Sequence, residues 1–360
     1  MGIKNLNTLL KKHVKNGIIT KNLDSFTNNI IAIDTSNYLY RFKYDNGNYL
    51  KKFVDQITTF WKYRMTPIYI FDGSPPSEKN ETLKKRQAVK NKSKNNIFIL
   101  EEEIKLQDKL YDKKQNNLSI NKLFSNQNDN SEQLQLQNDI FELKQSIQNN
   151  KNKLKKKIKN VISISPSDIT NCKNLFNLLG IKYIVADSEA DILCCELLKN
   201  KIVDCCLSED MDFLTHGCSK LLKNYNYRDN TVKVYILPII LKELDLSYDK
   251  FVDVCILCGS DYTSNIRGIG PISALKYIKK YDSIENIIEE LINKNSKFSI
   301  DNFNFQIARD IFKTKKKSPL DREDVLVGHV DSSKLYSFFL ENKIKNSVQK
   351  ILFFRNKLYQ

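Results

Sequence analysis

The chain is polar overall, but its apolar residues fall into short blocks. Ile30-Ile31-Ala32-Ile33 and Ile68-Tyr69-Ile70-Phe71 are uninterrupted runs, rich in β-branched and aromatic side chains, and read as buried strands. Ile202-Val203-Asp204-Cys205-Cys206-Leu207 is a third such run, and Ile181 to Val185 a fourth. Helical signals lie between them. Asp168 to Leu179 reads as a helix, started by Pro166-Ser167-Asp168 and stopped by Gly180. Ser188 can cap the next helix, which places Glu189 in its first turn. Strand, helix and strand in succession predict an α/β fold with a mostly parallel central sheet, right-handed crossovers and flanking helices.

The pattern changes in the middle of the chain. Residues 87–160 are rich in Lys, Asn and Gln and depleted in Gly and Pro. Low complexity of this kind, as in Ser125-Asn126-Gln127-Asn128-Asp129-Asn130, is a signature of disorder. Yet Ile140, Leu143, Ile147, Leu154 and Ile158 recur at helical spacing, and Ile97, Leu100 and Ile104 hint at another helix upstream. The expectation is two helical arms joined by a flexible linker around 112–133, with lysines able to touch phosphates. Residues 1–86 and 161–235 then form two parts of one core, 87–160 an insertion, and 236–360 a helical C-terminal region.

Composition narrows the function. Over 360 residues Lys and Arg number 58 against 42 Asp and Glu, a formal charge of +16, with a pI of about 9.2. Such a balance serves solubility or a polyanionic partner, nucleic acid above all. No apolar stretch approaches the ~20 residues that span a bilayer, and Met1 to Leu6 lacks the apolar core of a signal peptide. The expected setting is intracellular, in a nucleus or at a site of viral DNA replication. The eight cysteines, among them Cys194-Cys195 and Cys205-Cys206, read as buried small hydrophobes in a reducing compartment. Cys255-Ile256-Leu257-Cys258 has no second pair at zinc spacing, and His13, His216 and His329 are isolated, suggesting no metal or nucleophile pairing.

Against this basic background, Asp34, Asp72, Glu189, Asp191, Asp210, Asp212 and Asp261 stand out, most of them just after an apolar run. In open α/β sheets functional groups gather at the carboxyl ends of strands. Carboxylates collected there repel one another unless a cation lies between them, and hard divalent ions favour oxygen ligands. Two such ions ~4 Å apart can activate water, neutralise a phosphodiester and stabilise its leaving oxygen. A second signal is Ile266-Arg267-Gly268-Ile269-Gly270-Pro271. Its glycines let backbone approach a phosphate, and the helix begun by Pro271 would point amides at it.

These motifs together resemble the flap endonucleases of the XPG-type structure-specific nuclease family. The resemblance is carried, in family order over about residues 1–280, by Met1-Gly2-Ile3-Lys4, Ile31-Ala32-Ile33-Asp34-Thr35-Ser36, Ile70-Phe71-Asp72-Gly73-Ser74-Pro75-Pro76, Asp187-Ser188-Glu189-Ala190-Asp191, Ser208-Glu209-Asp210-Met211-Asp212, and Gly259-Ser260-Asp261-Tyr262 leading to Arg267-Gly268-Ile269-Gly270-Pro271. It implies a PIN-like nuclease core with a helical arch insertion and a C-terminal helix–two-turn–helix that binds duplex DNA. It implies that the seven carboxylates hold two Mg²⁺ ions, with Mn²⁺ able to substitute. It gives Lys79 and Arg86 the role of catalytic cations at the scissile phosphate. Gly2, Tyr40, Arg267, Gly268 and Gly270 become DNA contacts, Tyr40 by stacking. Without the resemblance, Lys79 and Arg86 read as a solvated helix face and Tyr40 as a core aromatic.

Three departures accompany the likeness. The usual Glu-x-Glu is Glu189-Ala190-Asp191 here, one methylene shorter, which leaves Asp191 to reach its metal through water. The arch is Asn/Gln-rich. Val348-Gln349-Lys350-Ile351-Leu352-Phe353-Phe354 has the wrong spacing for a sliding-clamp motif and reads as a packing helix. The expected protein is a monomeric, Mg²⁺-dependent enzyme that cuts 5′ flaps on branched DNA in replication, repair or recombination. The alternatives are a relative acting mainly as a 5′–3′ exonuclease or bubble or junction nuclease, a non-catalytic DNA-binding protein, or an RNA-cleaving enzyme.

Overall fold

The computed structural model describes residues 3–45, 47–124, 130–159, 161–266, 268–294, 303–314, 320–325 and 328–357. Within them lies one sheet of seven strands: β1 (Ile18–Asn22), β2 (Ile30–Asp34), β3 (Thr66–Phe71), β4 (Tyr183–Val185), β5 (Cys205–Leu207), β6 (Lys220–Asn226) and β7 (Thr231–Ile236). The spatial order is β1-β7-β6-β5-β2-β3-β4. β2 to β6 run parallel, and β7 and β1 close one edge antiparallel. The mostly parallel sheet expected from the alternation of runs and helical stretches is present.

Alternation along the strands explains why both faces carry helices. Ile30 and Ala32 of β2, with Ile68 and Ile70 of β3, join one apolar core; Ile31, Ile33, Tyr69 and Phe71 join the other. Every residue of β2 is buried, so its run has no polar alternation to show. Helices Leu6–His13, Ala190–Lys199 and Tyr248–Cys258 cover the first face. Helices Thr35–Tyr44, Tyr49–Lys62 and Pro166–Leu178 cover the second. Helix Ser347–Lys357 packs on that side too, with Phe354 fully buried and edge-on to Trp61 at 5.3 Å. All eight cysteines are buried and unbridged.

Element boundaries moved by a few residues. The run 202–207 pairs only over Cys205–Leu207, and the run 181–185 only over Tyr183–Val185. The helix expected over 168–179 starts at Pro166, because Ser165 and Asp168 form a capping box.

Compactness divides the chain into two units, residues 1–82 with 164–360 and residues 83–163. The second is a pair of helices belonging to Asn80–Phe124 and Asn130–Lys159. Leu100, Ile104, Ile140 and Ile147 are buried, and Lys151 to Asp108 at 3.0 Å with Lys114 to Asp139 at 2.5 Å sets the helices antiparallel. Ile158, counted in the apolar stripe by its spacing, is exposed. The linker expected around 112–133 is shorter than its composition suggested, since helix continues to Phe124 and resumes at Asn130. Lys, Gln and Leu in 112–124 are good helix formers, and no Gly or Pro interrupts them.

Candidate active site

The acidic residues reach one end of the sheet because the strands deliver them there. Asp34 is the last residue of β2, and Asp72 follows β3 directly. Asp210 and Asp212 follow β5, Asp212 opening the short helix Asp212–Thr215. Glu189 and Asp191 begin the helix after β4, and Asp261 lies in the loop after helix Tyr248–Cys258.

Hydrogen bonds knit this set. Asp34 caps its own helix by accepting the Asn37 amide at 3.1 Å, and its other oxygen accepts the Ser208 hydroxyl at 2.9 Å. The same Ser208 oxygen accepts the Asp210 amide at 3.1 Å, and Asp210 accepts the Asp212 amide at 3.1 Å. Asp72 accepts the Ala190 amide at 2.9 Å. The first amide of that helix is therefore served across the chain by Asp72 rather than by Ser188, and Glu189 sits at the cap position rather than in the first turn. Gly73 makes this approach possible: a Cβ there would lie 1.9 Å from the Ala186 carbonyl oxygen.

The electrostatics are strained. Asp34, Glu189 and Asp212 are each buried at 8% exposure or less. Burial, then the nearby Asp72 charge, pushes Asp34 up to about 7. Burial and acidic neighbours raise Asp191 and Asp212 well above the usual carboxylate range. Lys79 answers part of this charge. Its ammonium pairs with Glu189 and lies 3.7 Å from Asp261. Burial opposes that ammonium, but Glu189 more than offsets it and holds the lysine charged.

Among the described residues, no three His, Cys, Asp or Glu side chains are arranged to hold a metal ion as they stand. The donor set nevertheless suits a cation. Asp212 Oδ1 is buried with no hydrogen-bond partner, and burial with its acidic neighbours holds its carboxyl well above the usual range.

Other sequence-derived candidates fall elsewhere. Tyr40 is half-buried on helix Thr35–Tyr44, neither a core ring nor fully open. Gly268 has φ +87, the left-handed region, whereas Gly270 has an ordinary φ and precedes helix Pro271–Tyr281. A Cβ at either would meet nothing within 4 Å. Arg86 falls in the second unit, while Gly2 and Arg267 lie outside the described residues.

Sequence reasoning left several supporting groups without a role: Ser208, Gly73, Tyr262, Glu209 and His216. Tyr262 donates to Glu189 at 2.5 Å. Glu209 accepts from Arg41 at 2.7 Å and from the Asn224 amide at 3.0 Å, fixing the residue before Asp210. His216, read as isolated, has Nε2 at 3.7 Å from Asp191. Of these, Tyr262 was signalled by its place beside Asp261; the others depend on contacts across the chain.

Comparison with known proteins adds independent findings. Residues 1–93 match the model of the XPG N-terminal domain and residues 180–261 that of the XPG I-region. A flap endonuclease 1 of Vanderwaltozyma polyspora is 30% identical over 333 residues, covering 87% of this chain and 76% of that protein. Flap endonuclease 1-A of Sorghum bicolor is 29% identical over 384 residues, covering 100% and 89%. Among solved structures, the catalytic core of Rad2 in complex with DNA substrate superimposes with a TM-score of 0.64 at 20% identity, covering 98% of each chain. Flap endonuclease-1 from Methanococcus jannaschii gives 0.60 at 20% identity, covering 95% and 96%.

Proposed function

This chain belongs to the XPG-type flap endonuclease family, and from that premise we propose that it is a structure-specific DNA nuclease that removes 5′ flaps by metal-assisted phosphodiester hydrolysis. The observation that carries the reading is the convergence of seven carboxylates at the carboxyl end of one sheet, three of them buried, with the Lys79 ammonium paired to Glu189 among them.

Asp34, Asp72, Glu189, Asp191, Asp210, Asp212 and Asp261 would hold two divalent ions, Mg²⁺ first and Mn²⁺ as a substitute. Bound there, the ions supply an activated water and charge neutralisation at the phosphate and leaving oxygen. The chain's own residues do the rest. Ser208 and the helix caps fix Asp34, Asp72 and Asp210 before any substrate arrives. Lys79 and, by the sequence pattern, Arg86 engage the scissile phosphate. The Gly268–Gly270 turn meets the duplex backbone: neither glycine is required by internal packing, and the space a Cβ would take is open to a ligand.

The enzyme works as a monomer on branched or flap DNA, within the cell compartment that holds that DNA. Among the described residues no helix is long and apolar enough to cross a membrane. The test is a panel of labelled 5′-flap, nicked, bubble and four-way DNA and a flap RNA, with Mg²⁺ or EDTA. Preferred Mg²⁺-dependent cleavage of the 5′ flap supports the reading. Stronger cleavage of nicked ends, bubbles or four-way junctions moves the chain to another activity of the same family. Junction binding without turnover in Mg²⁺ or Mn²⁺ refutes a nuclease.

A further inference from the structure

His216 ends the short helix that Asp212 begins, and its amide donates to the Asp212 carbonyl at 2.8 Å. Its ring is 3% exposed and tilts against Phe312 at 4.9 Å. Nε2 has no hydrogen-bond partner, although it is buried. The nearest carboxylate oxygen in an ion-pair sense is Asp191 Oδ2 at 3.7 Å, beyond the ~3.2 Å limit of an N–H···O bond.

An imidazole carries an N–H on at least one of its two ring nitrogens. A lone pair on Nε2 facing an Asp191 held ionised by a divalent ion would be repulsive, whereas an N–H on Nε2 can donate to it. Asp191 Oδ1 already accepts the Ile192 amide at 2.7 Å, which leaves Oδ2 as the movable oxygen. Asp191 has one methylene less than a glutamate, so its carboxylate reaches less far from this backbone position.

We propose that His216 is a positioning residue for Asp191: its Nε2–H grips Oδ2 once a divalent ion draws the carboxylate, and so compensates for the short side chain. This rests on the metal-dependent reading given above. Carboxylate ligands are commonly steered by a hydrogen bond behind them, and losing it typically costs about 10- to 100-fold in metal affinity.

The test is Mn²⁺ titration, followed by the electron paramagnetic resonance of the free ion, on wild type, His216→Phe, His216→Gln, Asp191→Glu and the double variant Asp191→Glu/His216→Phe. The expected result is ~10- to 100-fold weaker binding by His216→Phe, partial recovery with the donor in His216→Gln, and a much smaller effect of His216→Phe in the Asp191→Glu background. Equal affinity of wild type and His216→Phe overturns the proposal. So does the same loss in both backgrounds, which would mark His216 as packing only. If His216→Phe does not fold, nitrogen-15 spectra of wild-type histidine decide: Nε2 must be protonated and must shift on adding Mg²⁺, and an Nε2 that does neither overturns the proposal. Absence of saturable Mn²⁺ binding by the wild type would instead sink the metal reading itself.

Discussion

The Tyr262 hydroxyl donates to Glu189 Oε2 at 2.5 Å, tying the loop of Asp261 to the N-terminus of the helix that follows β4. Tyr262 is 5% exposed and edge-packed on Phe312 at 5.2 Å, so the bond is made in a dry setting. Hydrogen bonds to charged groups are worth about 1.5–3 kcal/mol. Tyr262→Phe removes the donor, keeps the ring and leaves a buried carboxylate short of a partner. Thermal unfolding in EDTA should show a loss of that order. Unchanged stability would mean that Glu189 is satisfied by Lys79 alone.

Lys79 sets up an opposing pair of effects. Its ammonium touches Glu189 and approaches Asp261, the carboxylates a divalent ion must share. Lys79→Ala should therefore bind Mn²⁺ more tightly than wild type. The same change should slow single-turnover flap cleavage ~10²- to 10³-fold, the usual loss when one preorganised charge at a reacting centre is removed. Tighter binding with undiminished cleavage would confine Lys79 to charge balance.

The buried Asp34 fixes a pH dependence. Its folded pKa is raised from 3.8 to about 7. The neutral form is thus the one that folding favours: this contribution to stability is fully present below pH ~4 and is lost as pH rises through about 7. Asp34→Asn should match wild type near pH 4 and exceed its melting temperature at pH 8 in EDTA, by about 1–2 °C per kcal/mol relieved in a chain of this size. Adding Mg²⁺ at pH 8 should narrow the gap. A wild type whose melting temperature does not fall relative to Asp34→Asn above pH 7 would contradict the assignment.

Much of this arrangement was legible in the chain, and the reason is strand burial. β2 and β3 lie between neighbours and under helices on both faces, so their sequences are unbroken apolar runs and the acidic residues that follow them are conspicuous. Short pairing was less legible: only three residues of the run 202–207 join β5, since pairing with β2 covers just Ile31 to Ile33. The second unit misled in its centre because an Asn- and Gln-rich composition marks disorder although both residues are tolerated in a helix, and the pairing of the two helices, as in Asn150 to Gln107 at 3.1 Å, is not written in composition. His216 was invisible because its partner is 25 positions away, on a different helix.

Two glycines should separate packing from ligand approach. A Cβ at Gly73 runs into the Ala186 carbonyl at 1.9 Å, so Gly73→Ala must displace backbone next to Asp72 and should destabilise by about 1–3 kcal/mol. Gly270→Ala meets nothing within 4 Å and has an ordinary φ. Its stability should stay within about 0.5 kcal/mol of wild type, while affinity for a plain DNA duplex falls. Denaturant melts and duplex titrations at fixed salt check both. Undiminished duplex affinity of Gly270→Ala would remove that turn from the DNA contact.

The central claim is that these carboxylates drive phosphodiester hydrolysis at a flap, and Asp212 tests it most directly because it is 2% exposed with an unpartnered Oδ1. The measurement is single-turnover cleavage of a 5′-labelled flap substrate in Mg²⁺ by wild type and Asp212→Asn, with EDTA as control. The account predicts a product cut near the junction for wild type, none in EDTA, and a rate for the variant lower by at least ~10²-fold with the fold intact. Cleavage by Asp212→Asn at the wild-type rate, or wild-type cleavage that persists in EDTA, would contradict it.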